Sequence, residues 1–164
     1  MPLVLDGNGD ITGLVAGALP SNVIGAGGIL QVVGANTATQ VGASTTTYVD
    51  TTLTATITPT SATSRILVLV SQNGVYKTAA NGGNGVNLRL VKNSTALITF
   101  VFGGAYTGTT LENTIAASTC YLDSPATTSA TTYKTQLASY NNSAQVYVQA
   151  YNETSTITLL EIAA

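Results

Sequence analysis

The residues whose types could support chemistry are few, and their spacing supports little. Asp6-Gly7-Asn8-Gly9-Asp10 sets oxygen donors at alternate positions, as the first half of a calcium loop does. The EF-hand pattern then requires Gly at its sixth position and Glu at its twelfth, where this chain has Ile11 and Gly17. A Gly-Asn turn accounts for the segment better. Asn81-Gly82-Gly83-Asn84-Gly85 has the look of a phosphate cradle, but no Gly-Lys-Ser/Thr follows and no helix is expected to supply a dipole. A strand connection is expected there. Nucleophilic catalysis lacks a histidine base, and Lys77, Lys92 and Lys134 stand without an SxxK spacing. Paired carboxylates can hydrolyse sugars, yet Asp50, Glu112, Asp123, Glu153 and Glu161 are scattered, with Asp123 placed to cap a Ser-Pro turn. Cys120, inside an apolar strand, is expected as a buried small hydrophobe. The expectation is therefore no enzyme, no metal and no cofactor. Sequons at Asn93, Asn141 and Asn152 carry meaning only in a secreted protein.

Composition narrows the class. Only 7% of residues are charged, net charge is −2, and mean hydropathy is +0.31. Five Lys and Arg cannot form the cationic footprint of nucleic-acid binding. Such hydropathy with so little net charge is unlike disorder. A chain of 164 residues is long enough for one domain that buries roughly two-thirds of its unfolded surface. A lone cysteine excludes an intrachain disulfide and fits a reducing cytosol. Residues 11–49 carry no charge, but their glycines and Pro20 argue against a membrane span. The start carries Asp6 and Asp10 and no basic residue, unlike a signal peptide, so neither secretion by the usual route nor membrane insertion is expected.

The elements that must position any site follow from periodicity. Residues 1–28 are Gly-rich, with short apolar pairs (Val4-Leu5, preceded by Leu3; Leu14-Val15; Val23-Ile24) and no sustained period. This segment predicts an extended arm that attaches to a partner, and residues 29–164 predict the folded head. From residue 29 a period of two takes over, the mark of half-buried strands. Nine strands are predicted: Ile29–Val33, Leu53–Thr58, Arg65–Ser71, Val86–Lys92, Thr95–Phe102, Ala116–Leu122, Thr131–Ala138, Gln145–Tyr151 and Thr156–Ile162. LTATIT puts Leu53, Ala55 and Ile57 on one face and threonines on the other; Pro59 ends it. Asn93-Ser94 turns one strand back on the next. Threonine fills nearly thirty positions, because its β-branched body suits a pleated surface and its hydroxyl tolerates water. Many short strands without a periodic helix predict an all-β jelly-roll sandwich of about eight or nine strands.

Both faces of several strands are apolar. QVYVQAY leaves Tyr147, Gln149 and Tyr151 opposite a core row, and TITLLEI carries Leu159 on one face and Leu160 and Ile162 on the other. A monomer with so few charges seldom leaves such rows bare. Burial between copies is the expectation, in a closed cyclic oligomer whose interface uses Tyr147, Tyr151, Leu159, Leu160 and Ile162.

Four segments, DGNGDITGLVAGALPSNVIGAG, ITPTSATSRILVLVS, YLDSPATTSATTYK and STITLLEIAA, resemble phage tail-fibre and virion-appendage proteins of environmental viruses. The resemblance spans nearly the whole chain. It implies an N-terminal part bound to another virion protein, and a C-terminal sandwich similar to the trimeric C1q and tumour-necrosis-factor jelly rolls, displayed at the virion surface. Fibres usually carry a long shaft; here only Gln31–Thr46 is free to serve as one.

The resemblance implies adhesion of a trimeric knob to host glycans. Contact loops are expected at Asn73–Gly85, Gly103–Asn113 and Tyr140–Ser143, through Tyr76, Asn81, Asn84, Tyr106, Thr107, Tyr140, Asn141 and Asn142. Simple alternation of strand direction puts these loops at one end of the sandwich and the C-terminus at that same end. A decoration or cement protein that recognises no host is the alternative, and a polysaccharide depolymerase is a third.

Overall fold

The computed structural model describes residues 25–141 and 144–164, together with the backbone of two short strands near the N-terminus, β1 (Val4–Leu5) and β2 (Ile11–Thr12), which pair antiparallel. The remaining arm positions named above (Leu3, Leu14, Val15, Val23, Ile24), the Asp6–Asp10 segment and Asn142 lie outside the described residues, as do the side chains of Val4 and Leu5.

Ten further strands follow: β3 (Ile29–Thr37), β4 (Val41–Ala43), β5 (Val49–Ile57), β6 (Arg65–Lys77), β7 (Val86–Lys92), β8 (Thr95–Gly104), β9 (Asn113–Asp123), β10 (Thr131–Ser139), β11 (Val146–Val148) and β12 (Ser155–Ile162). They make two antiparallel sheets. One runs β5-β10-β7-β8; the other runs β3-β12-β6-β11-β4, with β9 on the far side of β6. Among the described residues the only helix is a single 3-10 turn, Ala150–Asn152. Apart from the three-residue β4 and β11, the pairing is nested. First pairs with last (β3 with β12), then β5 with β10, β6 with β9, and β7 with β8.

Alternation explains most of these strands. In β5, Leu53, Ala55 and Ile57 are buried while Thr52, Thr54 and Thr56 face out. In the β7–β8 hairpin, Asn93 takes the left-handed φ of 53° that a tight two-residue turn requires, and its side-chain oxygen accepts from the Thr132 amide at 3.0 Å. β6 runs six residues beyond the predicted Ser71. Gly74, at φ 59°, absorbs a register shift between Gln72 and Val75, so the strand continues through Asn73–Lys77, where a loop was expected.

The sheets enclose two apolar clusters. One holds Leu53, Ile57, Ile66, Val68, Leu90, Tyr133, Ile157 and Leu159; the other holds Val75, Val86, Leu88, Leu137, Val146 and Val148. A buried polar belt separates them along the strands. Thr51 and Thr135 hydroxyls lie 2.6 Å apart, Thr135 donates to Gln72 Oε1 at 2.8 Å, and the side-chain amides of Gln72 and Gln149 donate to Ser155 Oγ at 3.1 and 3.0 Å. Each of these polar groups is inside the protein, where an unmade hydrogen bond is costly, so the belt ties the sheets in one register.

Several expectations are corrected here. Leu159 is fully buried against Val68 and Val33 within its own chain, so it cannot serve an interface between copies. The strand expected at Gln145–Tyr151 ends at Val148, because Gln149, Tyr151 and Asn152 take left-handed backbone; Gln149 thereby turns inward. Cys120 is exposed: β9 pairs only with β6, and Cys120 sits opposite Leu69 on the outer face. Asp123 caps no turn but closes β9, buried against Lys92 and Tyr133. Gln31–Thr46 is not a shaft, since β3 and β4 occupy most of it.

Candidate functional site

β11 and β12 lie end to end along the same edge of β6, both antiparallel to it. Val146 pairs with Lys77 at one end, and Ile162 pairs with Arg65 at the other. The two short strands therefore make one traverse, which removes one reversal from simple alternation. The C-terminus consequently sits at the end opposite the long loops, not beside them. The arm enters at that same far end, where Gly27 and Gly28 exchange backbone hydrogen bonds with Ala163 at 2.9 Å. Thirteen residues of β6 put the two ends roughly 40 Å apart.

At the loop end, the segments after β6, β8 and β10 converge. Lys77, fully buried, donates its ammonium to Thr107 Oγ1 at 2.7 Å, Thr109 O at 2.7 Å and Leu111 O at 2.8 Å, so a cation in the first segment organises the second. Thr78 Oγ1 donates to Gln145 O at 3.0 Å, and Asn84 Nδ2 donates to Ala144 O at 3.2 Å, tying the first segment to the third. Between them opens a cleft of about 500 Å³ lined by Gly83, Phe102, Gly103, Tyr106, Tyr140 and Asn141, within the size range of small-molecule sites. Phe102 and Tyr140 meet edge to face at 5.0 Å. Tyr106 and Phe102 present most of their rings to solvent. Gly103 takes a left-handed φ of 67°, which favours glycine, and the Tyr140 ring packs beside it.

The sequence-derived contact residues divide. Tyr106, Tyr140 and Asn141 share this cleft. Asn81 is exposed and its side-chain oxygen accepts from the Gly83 amide at 2.8 Å, shaping the rim. Asn84 is buried, accepting from Ser139 Oγ at 2.8 Å, and contacts no solvent; it holds the loop rather than a receptor. The Thr107 hydroxyl is occupied by Lys77. Phe102 and Gly83 were missed. Phe102 stands two residues before the end of β8, and alternation gave no hint that its ring would lie exposed beside Tyr140.

Tyr76 belongs elsewhere. It stacks on Tyr147 at 6.0 Å and meets Tyr151 edge-on at 5.6 Å, on the outer face of the six-stranded sheet. Its hydroxyl donates to Glu112 at 2.6 Å, which pushes its ionisation above the ordinary tyrosine range. Tyr147 and Tyr151, expected at an interface between copies, thus share a cluster with a residue expected at a receptor site. The same outer face carries an apolar row straight across four strands: Val32, Leu160, Leu67 and Leu122 are successive register partners. Ile162 pairs with Ile29 at its border.

The described carboxylates each have their own partner. Asp50 is held below the usual range by hydrogen bonds from Lys134 and Gln136, each at 2.6 Å. Asp123 takes Lys92 and Tyr133, and Glu153 accepts from the Gly74 amide at 2.8 Å. Burial alone would raise Glu161, but donors from Gln31 and Thr60 outweigh it and hold the carboxyl low. Among the described residues no three His, Cys, Asp or Glu gather closely enough to hold a metal ion. No helix among them is long and apolar enough to cross a membrane.

No protein-family model and no curated protein matches the chain. Among solved structures, the VP2 subviral particle of infectious bursal disease virus is similar, with a TM-score of 0.45 and 14% identity over 83% of this chain. That match covers 34% of the VP2 chain, so this chain spans about a third of its length.

Proposed function

We propose that the protein is a virion structural protein: a short phage fibre or appendage, anchored by residues 1–28 to another virion protein, that displays a homotrimeric jelly-roll head for adhesion to host-surface glycans. One observation carries this reading. The aromatic cleft and the entry of the arm stand at opposite ends of the sandwich, so a particle-bound arm would aim the cleft outward. The nested pairing supports the jelly roll, since a long hairpin folded over into two layers produces that order of strands. Val32, Leu160, Leu67 and Leu122 support the trimer, being an apolar row that copies of the chain can cover for one another. On this reading the head binds, with no reaction to perform and no cofactor to hold. Purified protein should bind host cells and slow virus adsorption; failure to do either would overturn adhesion.

The apolar row also favours a second reading, a capsid or tail decoration that cements subunits and recognises no host. Particles lacking the protein would then still adsorb normally but lose mechanical stability.

A further inference from the structure

Resting on the adhesive reading above, we propose that the cleft between Phe102, Tyr106 and Tyr140 is a carbohydrate subsite selective for uncharged sugars. Its lining combines ring faces with amide and phenol groups and contains no charged side chain. A pyranose has C–H faces that lie against aromatic rings and a rim of hydroxyls that exchange hydrogen bonds; Asn141 and the tyrosine hydroxyls supply donors and acceptors for that rim.

No charged side chain lines the cleft, and the charged groups that tie its loops are already hydrogen-bonded within the chain. Lys77 spends its three N–H donors on Thr107, Thr109 and Leu111, and Glu112 accepts from Tyr76. A uronic or sialic acid carboxylate would therefore find no free cationic N–H donor in the lining, whereas a neutral sugar finds the donors and acceptors its hydroxyls need. Nucleotides and phosphorylated sugars meet the same obstacle. Gly83 and Gly103 contribute no side chain to the lining, so the rings of Phe102, Tyr106 and Tyr140 are the surface a sugar meets in this open cleft. Single-site binding of this kind is weak, and repetition in an oligomer multiplies it.

The test is an array of neutral and acidic oligosaccharides probed with the full chain, followed by NMR titration of the strongest ligand, with cell binding measured in parallel. Neutral sugars should dominate, shifting the signals of Tyr106, Tyr140 and Asn141. Tyr106→Ala, an exposed position that tests the site without disturbing the core, should weaken binding about tenfold, while Thr128→Ala, exposed in the β9–β10 connection at the opposite end, should leave it unchanged. Preference for acidic sugars, or neutral sugars that bind away from the cleft, would overturn the inference. Cell binding with no sugar bound would overturn it too while leaving adhesion standing; absence of cell binding, with neutral sugars still held in the cleft, would overturn adhesion alone.

Discussion

The hydroxyl of Tyr133 lies 2.6 Å from a carboxylate oxygen of Asp123, inside the protein, and joins the two sheets across their interior. Lys92 meets the same carboxylate at 2.9 Å. Burial and this contact raise the Tyr133 ionisation above the ordinary tyrosine range, so the phenol stays a donor at any physiological pH. Tyr133→Phe should keep the fold and cost about 1.5–3 kcal/mol, the range for a hydrogen bond to a charged group. Equilibrium unfolding in urea measures it.

Gly74 answers a different constraint. A Cβ there would stand 2.4 Å from the Ala150 amide nitrogen, on backbone already at φ 59°. Gly74→Ala should destabilise by well over 1 kcal/mol, because neither the backbone nor its neighbour can yield cheaply. Gly34→Ala, with open space around it, should change stability by less than about 0.5 kcal/mol. Thermal melts of the two variants make the comparison.

Lys77 should act as an internal clamp. Lys77→Met removes the donors for one hydroxyl and two carbonyls while preserving most of the buried stem. Amide exchange should speed up selectively across 105–112, and sugar binding should weaken without loss of the sheets. Uniform protection across that segment would show that the loop holds itself.

Glu161 sets an acid dependence. Its folded carboxyl is held low, so the unfolded chain binds the proton more readily, and stability rises with pH through that interval. The contribution is complete above the ordinary glutamate range and fades as pH falls through the lowered folded value. Glu161→Gln should flatten the acid side of the stability profile relative to the unaltered chain; an unchanged profile would assign the acid loss to other groups.

Much of this fold was legible from alternation. Leu53, Ala55 and Ile57 are buried, and the double-sided Arg65–Ser71 run does sit in the middle of a sheet, with Ile66, Val68 and Val70 inside and Leu67 and Leu69 outside. Periodicity separates the two faces of a strand but does not say which one meets the core when both are apolar. Leu159 and Leu160 illustrate this, since only pairing with Val68 and Leu67 assigns them. A bulge hid the rest: Gly74 carries β6 into what looked like a loop. Left-handed backbone at Gln149 and Tyr151 cut short one expected strand and set it in line with the next along β6, which puts the C-terminus at the far end. Of the cleft, the loops bearing Tyr106, Tyr140 and Asn141 were legible as turn chemistry. Their convergence runs through the buried Lys77 and Asn84 and through Thr78, contacts between distant segments that no local pattern foretells.

An isolated chain would leave the outer row formed by Val32, Leu160, Leu67 and Leu122 partly in water. Light scattering of the full chain at micromolar concentration should give a mass near three times 16.6 kDa, resistant to dilution, and Leu67→Glu with Leu160→Glu should lower it. A monodisperse, folded species at 16.6 kDa would contradict the account.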